Sequence, residues 1–295
     1  CSVFDITPLN KYRIVGPQAE EFLNKLTVRD VTKQNVATVK YTLWCDQEGF
    51  VIDDGTLFRI SDNDFRLCSQ EKHLPWLIDT SYGFDVEIID ESKHICGISL
   101  QGPTSASILR LLGVNGIDNL KPFHLFQTKI SNMPVMISRT GFTGDLGYEI
   151  FMKNNVAKKI IERVWNAGTN HGLTAIGYNA LNMARIEAGF LVANIDFIPS
   201  DHAIRPDRCR RPEDLGLGWL VDFNKGFFNG KKAILNNKLK SCNVFKIYAL
   251  EIDGKEPVEG SIIYYNKKDE VGTCLLYTSD AADDTPCVDL GGRRI

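Results

Sequence analysis

Apolar and polar positions along the chain follow two periods that exchange places several times. In "YRIVGPQAEEFLNKLT", from Tyr12, a short β-rich run gives way at Gly-Pro to a helical spacing, with Ala19, Phe22, Leu23 and Leu26 in one stripe. The plan recurs in "CGISLQGPTSASILRLLG", from Cys96, where Ala106, Leu109 and Leu112 form the stripe with Ile108 alongside. Pro17 and Pro103 suit the first turn of each helix, where no amide donor is needed and φ of about −65° already fits. Gly-Pro before a helix is common, so the duplication is either an internal pseudo-repeat or a coincidence.

The period-two segments are "GFVIDDGTLFRI" and "DFRLCSQ", linked by the turn-rich "SDND". In "GFDVEIID", Phe84, Val86 and Ile88 share one face, and "MPVMISRT" and "GYEIFM" follow further on. A helix is predicted from about Val156 to Asn170, with Val156, Ile160, Val164 and Trp165 on one side. Another covers roughly Gly177 to Gly189. From about Leu215 the pattern turns β-rich again in "GWLVDF", "FKIYALEI", "SIIYYNKK" and "EVGT".

Strands and helices alternate without long parallel βαβ runs. The expected class is α+β: two related antiparallel-sheet domains, each with helices on one face, then the start of a small β-barrel. The boundaries read 1–95, 96–214 and 215–273.

The 295 residues are 43% hydrophobic and 24% charged, enough for two or three domains with a real core. A net charge of −3 suggests neither a nucleic acid nor a membrane surface as partner. No apolar run approaches the roughly 20 residues that span a bilayer. The eight cysteines show no C-x-x-C spacing, so reduced thiols in a cytoplasmic or matrix setting are expected.

The two ends read differently from the rest. The chain opens on Cys1, in what looks like the middle of a domain, so no targeting segment is assessed. "CLLYTSDAADD" (Cys274–Asp284) and "CVDLGGRRI" (Cys287–Ile295) resemble translated sequencing adapter. The expectation is a fragment cut at both ends, with 274–295 a non-native tail that removes two of the eight cysteines.

Several chemistries are excluded by motif. There is no G-x-S-x-G, H-E-x-x-H or G-x-G-x-x-G, and "GFFNGKKA" lacks the spacing and hydroxyl of a phosphate loop. The five histidines show no ligand spacing, so no metal site is expected. Two acidic positions are odd. Asp53 and Asp54 interrupt an apolar strand and point to opposite faces; alternatively they form a solvated bulge with Gly55. Glu149 lies inside the strand "GYEIF", where an ionised acid on a half-buried face is costly unless hydrogen-bonded. An edge strand in water, or an ion pair with Arg139, would explain it without function.

"GFVIDDGTLFRI", "SRTGFTGDLGYEIFM", "RIEAG" at Arg185 and "LGLGWLVDFNKGFFNGKKAIL" at Leu215 occur in an order that resembles the aminomethyltransferase (glycine-cleavage T-protein) family of tetrahydrofolate enzymes. The resemblance runs from roughly Ser2 to Thr273. "LWCDQEGFVIDDGTLFR" and "PSDHAIRPDRCRRPEDLGLGW" mark an unassigned branch of it. It implies a three-domain cloverleaf around a folate channel, with tetrahydrofolate as cofactor. It also implies roles. Glu149 binds the pterin ring, whose N–H and amino group sit side by side as a carboxylate can accept them. Asp54 is the catalytic acid beside the reacting centre. Tyr41, Phe58 and Phe123 match aromatic wall positions, although each also suits core packing. Arg139 is structural or steadies the acid.

The sequence also departs from the family. Leu181 stands where many members have a folate-contacting Arg, and Pro8 stands where the opening motif has a His. The loop from Ile204 to Arg211 carries Arg205, Arg208, Arg210 and Arg211. It suits an anionic substrate, the folate tail or a partner protein, or is simply a solvated basic loop.

Three functions compete. One is transfer of a methyl or aminomethyl unit from a small amine, sulfonium or methoxy donor to tetrahydrofolate, with a carrier or dehydrogenase protein as partner. Another is the folate domain of a flavin-dependent dimethylglycine or sarcosine dehydrogenase. The third is a non-catalytic folate binder like the iron–sulfur-assembly relatives. Their K-G-C-Y-x-G-Q-E motif is here "KGFFNGKK", with Phe227 in place of the Cys.

Overall fold

The structure is a computed structural model that describes residues 1–240, 245–249, 261–274 and 287–291. The strands are β1 (Ser2–Asp5), β2 (Asn10–Val15), β3 (Thr38–Cys45), β4 (Val51–Ser61), β5 (Asp64–Ser69), β6 (Glu87–Asp90), β7 (Ile95–Gln101), β8 (Leu125–Ile130), β9 (Met133–Ser138), β10 (Gly147–Lys153), β11 (Thr174–Ala175), β12 (Phe245–Ala249), β13 (Ile262–Tyr265), β14 (Asp269–Cys274) and β15 (Cys287–Gly291). The helices are α1 (Ala19–Leu26), α2 (Leu74–Thr80), α3 (Ser105–Leu111), α4 (Asn154–Gly168), α5 (Tyr178–Glu187) and α6 (Lys231–Lys240). The class is α+β, and no described helix is long and apolar enough to cross a membrane.

The chain divides into two compact units, neither continuous in sequence. The first holds Cys1–Leu23, Val31–Tyr41 and Gly55–Leu181; the second holds Asn24–Asp30, Thr42–Asp54 and the chain from Asn182 on.

One sheet has the order β11-β1-β7-β10-β9-β8, another β3-β4-β5-β2-β6. The pairs β1–β7, β7–β10, β10–β9, β9–β8, β4–β5, β5–β2 and β2–β6 are antiparallel, whereas β1 and β11 run parallel, which corrects the expectation of purely antiparallel sheets. The duplication is real. Each sheet contains a meander joined to an earlier strand, β3-β4-β5-β2 in one and β8-β9-β10-β7 in the other. Gly16 and Gly102 both have positive φ, at 138° and 115°. The amides of Ala19 and Ser105 each bond their glycine's carbonyl at 3.1 Å. The prolines therefore sit in the second position of a β-turn before each helix, not in its first turn. Their fixed φ suits that position equally well.

The stripe of α1 is buried as expected. Helix α3 buries Ala106, Ile108 and Leu109 but ends at Leu111, leaving Leu112 as its cap. Helix α4 buries Ala157, Ile160 and Val164. Trp165 is 44% exposed, against expectation: at about 100° per residue it falls off the Ile160–Val164 stripe.

Within the first unit, α3 and α4 cover one face of the six-stranded sheet, against Ile98, Leu100, Ile137, Tyr148 and Ile150. Its other face contributes Phe4, Leu125, Met136 and Phe151 to a second cluster, which Val39, Phe58 and Cys68 of the five-stranded sheet complete.

In the second unit, residues 215–228 form turns and a short 3-10 segment rather than the expected strand "GWLVDF". Positive-φ Gly216 breaks the run at its start. Beyond it β12, β15, β14 and β13 form a four-stranded antiparallel sheet in that order. Of the expected tail, 275–286 and 292–295 lie outside the described residues, and 287–291 are β15.

Candidate functional site

Glu149 lies on β10, between β7 and β9, directly opposite Ser99 on one side and Ser138 on the other. It is therefore in the middle of a sheet, not at an edge. The two serines are fully buried and small, which leaves room beside a half-buried carboxylate. Its Oε2 accepts a hydrogen bond from Thr140 Oγ1 at 2.6 Å, and Thr140 Oγ1 lies 2.6 Å from Ser138 Oγ. Burial pushes the Glu149 carboxyl above the usual carboxylate range, and the Thr140 hydroxyl pulls part of the way back. Among the described residues no ion pair reaches Glu149. Arg139, the partner considered from sequence, instead donates from Nη1 to the carbonyl of Leu120 at 2.9 Å.

Gln101 braces this strand end. Its Nε2 donates to Ser99 Oγ at 2.8 Å and to the Thr140 carbonyl at 3.3 Å, and its Oε1 accepts from Thr143 Oγ1 at 3.1 Å. A Cβ at Gly141 or Gly147 would overlap the Gln101 amide. These two glycines thus clear space for a buried side chain, whereas Gly144, with φ of 74°, shapes the turn.

The aromatic candidates separate. Phe58 is closed to solvent and meets Phe151 edge-on, with centroids 5.4 Å apart at 81°. Phe151 shares the Glu149 face of β10 by strand alternation. Phe123 is 54% exposed and holds a left-handed φ of 58°. Two backbone bonds fix it there, from Phe123 N to the Arg139 carbonyl at 3.0 Å and from Val39 N to the Phe123 carbonyl at 2.8 Å. Tyr41 is half-buried on β3, on the same strand face as Val39. Leu181 packs against the cluster of Phe58 and Phe151.

In the second unit, Asp53 and Asp54 lie in the unbroken strand β4, not in a solvated bulge. Asp53 is fully buried and its Oδ1 accepts from the Asp54 amide at 2.8 Å, while Asp54 is half-buried. The Val51 amide bonds the Arg210 carbonyl at 2.8 Å. The basic loop divides: Arg210 is buried and Arg211 lies over the Phe50 ring at 4.5 Å, whereas Arg205 and Arg208 are exposed.

The model of the GCVT N-terminal domain matches residues 1–225. An aminomethyltransferase of Halothermothrix orenii is 31% identical over 242 residues, 81% of this chain and 65% of that protein. The chain belongs to the aminomethyltransferase, or glycine-cleavage T-protein, family. The fold agrees: the glycine cleavage system aminomethyltransferase T from Bartonella henselae superposes with a TM-score of 0.86 at 22% identity, covering 98% of this chain and 78% of that one. The heme-dependent oxidative N-demethylase gamma subunit of Ectopseudomonas mendocina is 33% identical over 286 residues, 94% of this chain and 73% of that protein. The trimethylamine-oxide aldolase of Ruegeria pomeroyi is 31% identical over 273 residues, 88% of this chain and 33% of that protein. The chain spans about two thirds of the length of the aminomethyltransferases it matches, 65% for the Halothermothrix protein.

Two family residues were not singled out from sequence. Thr140 stands in the quoted "SRTG", and its alternation with Ser138 was the available signal. Arg185 of "RIEAG" forms a fully buried ion pair with Asp196. The Arg185 Nε donates to Asn182 Oδ1 at 2.8 Å, and the Val192 amide donates to Asp196 Oδ2 at 2.7 Å. Phe227 is exposed.

Proposed function

We propose that the chain binds a reduced folate through Glu149 and belongs to a tetrahydrofolate-dependent enzyme that takes a one-carbon unit from a small methylated donor. The observation that carries this is the Glu149 carboxylate. It sits mid-sheet, costs stability, and has a hydroxyl as its protein partner where a buried acid ordinarily has a cation. A pterin edge supplies the missing donors, an N–H and an amino group side by side. Tetrahydrofolate, when bound, supplies the nitrogen that accepts the one-carbon unit.

The other assignments follow from that one. Phe123, exposed and held at a strained φ, offers a flat face to the ligand. Tyr41 lines the same site, Phe58 packs behind it, and Arg139 holds the loop that carries Thr140. Asp54, in the second unit, takes the catalytic role from its place in the family's motif, since an anion can orient an ammonium group or stabilise developing positive charge. Residues from 215 on begin a further, barrel-like domain, and the working compartment is the cytoplasm.

The donor is an N-methylated amine rather than a glycine-derived aminomethyl group. Pro8 and Leu181 depart from the glycine-cleavage pattern, and the similar proteins include ones named for N-demethylation and for trimethylamine oxide. A second reading makes the chain one part of an assembly in which a partner dehydrogenase oxidises the N-methyl group. The Ectopseudomonas protein, named as a subunit, favours it.

Calorimetry with 5-formyltetrahydrofolate, alongside a turnover assay over methylated amines with tetrahydrofolate, tests the proposal. Asp54→Asn should retain folate binding and lose turnover by a factor on the order of 10² or more, while Glu149→Gln loses binding. Unchanged binding in Glu149→Gln removes the assignment.

A further inference from the structure

We propose that Thr140, backed by Ser138, is a positioning residue that keeps Glu149 ionised and fixes which carboxylate oxygen is offered to a ligand. The proposal rests on the folate reading of Glu149 for the ligand's identity, but not for the charge state.

The geometry sets a direction. An ionised carboxylate only accepts hydrogen bonds, so the Thr140 hydroxyl, 2.6 Å away, donates its one proton to Oε2. The Ser138–Thr140 contact, also 2.6 Å, must then run from Ser138 to Thr140. Two buried hydroxyls thus point their protons towards Glu149, and each polarises the next. Oε2 is held by this chain, and Oε1 is left to receive a donor from outside. Protonating Glu149 would make it a donor and force both hydroxyls to turn.

The charged surroundings do not do this work. The titratable group facing Glu149 from β5 is Cys68, whose thiol burial pushes up to about 12, so it is neutral. Arg66, on the same face of β5, donates through Nε and Nη2 to Glu91 at 2.9 and 2.8 Å, and its Nη1 points at Met136. The flanking strands β7 and β9 place Ser99 and Ser138 opposite Glu149. Among the described residues, the hydrogen bond from Thr140 is what favours the anion. Gln101 anchors the Thr140 carbonyl and so keeps the hydroxyl in reach.

The test uses the whole chain carrying ¹³C-carboxyl-labelled glutamate, with Glu149→Gln to assign the resonance. The Glu149 titration midpoint is read in wild type, Thr140→Val and Thr140→Ser, and 5-formyltetrahydrofolate uptake is measured at pH 7.5. Thr140→Val should move the midpoint up by about one pH unit or more and weaken uptake roughly tenfold or more. Thr140→Ser should restore both, which a purely structural role would not require. An unmoved midpoint in Thr140→Val, or no rescue by serine, overturns the proposal. If wild type takes up no folate, the ligand assignment fails while the midpoint still decides the role of Thr140. Should Thr140→Val not fold, Ser138→Ala supplies the same readout, with a smaller upward shift expected and an unmoved midpoint again overturning the idea.

Discussion

Arg66 and Glu149 hold the same place in two copies of one strand order, with opposite charge. Arg66 lies two residues beyond Asp64, which faces Val15 just before Gly16; Glu149 lies two beyond Gly147, which faces Gln101 just before Gly102. The copies treat their charge differently. Arg66 is matched by Glu91 through two hydrogen bonds of 2.9 and 2.8 Å. Glu149 has a threonine hydroxyl, and burial raises its pKa. One position meets a carboxylate of opposite charge and the other a neutral hydroxyl.

The first expectation concerns stability. Because the folded-state pKa of Glu149 is raised, the unfolded chain loses that proton first as pH rises. The Glu149 contribution to stability therefore falls as pH climbs from the ordinary carboxylate range through the folded value, and the deficit persists at neutral pH. Glu149→Gln keeps an acceptor for Thr140 without the charge. It should melt a few degrees above wild type at pH 7.5, on the order of 1 kcal/mol, and the gap should close below about pH 4. Scanning calorimetry across that range checks it; a wild type more stable than the variant at neutral pH would contradict it.

Phe123 offers a second comparison. A left-handed φ in a bulky residue costs about 1–2 kcal/mol, and asparagine tolerates it better. Phe123→Asn should hold or gain up to about 1 kcal/mol while reduced-folate affinity falls several-fold from lost stacking. Equal affinity in the variant would reduce Phe123 to an exposed loop residue.

Much of this architecture was legible in the chain. The α1 stripe follows from period and turn chemistry, which are local; the same signals raise the Gly-Pro duplication and the strand through Asp53-Asp54 without deciding either against coincidence or a solvated bulge. Glu149 stood out because a charge breaks an apolar strand. What escaped is what depends on neighbours distant in sequence. Nothing near Glu149 shows that β10 is flanked by β7 and β9, and that flanking decides between an edge acid and a mid-sheet one. Gly147 reads as a turn residue until Gln101, far away in sequence, occupies the space its side chain would need. "GWLVDF" looks like a strand by composition, yet the glycines around it hold turns.

Arg185 and Asp196 supply a third test, independent of any ligand. Neither side chain reaches solvent, and burial raises the Asp196 carboxyl even though Arg185 stabilises its charge. Among the described residues Arg185 Nη2 and Asp196 Oδ1 lack a hydrogen-bond partner, so the pair is incompletely compensated. Arg185→Met alone should destabilise the second unit by about 3–5 kcal/mol, because it leaves a buried carboxylate uncompensated. Adding Asp196→Leu should recover most of that loss. Denaturant titration of the single and double variants gives the comparison, and a double variant no better than the single would show that the pair does more than balance charge.

Lys225 makes the last case, through alkaline pH. Its Nζ is buried and donates to the carbonyls of Thr27 at 2.6 Å and Arg29 at 2.7 Å. Burial lowers its pKa from 10.5 to about 7. A neutral amine still has two N–H donors, so both bonds survive deprotonation. Between about pH 7 and 10.5 the unfolded chain binds a proton that the folded chain does not, so the Lys225 contribution to stability rises across that window and levels off above it. Lys225→Met removes the titration and the two hydrogen bonds together. The difference in unfolding free energy between wild type and variant should therefore grow in favour of wild type as pH rises from 7 towards 10. Parallel slopes for the two proteins would mean that the folded amine keeps its proton, with the two carbonyls outweighing its burial.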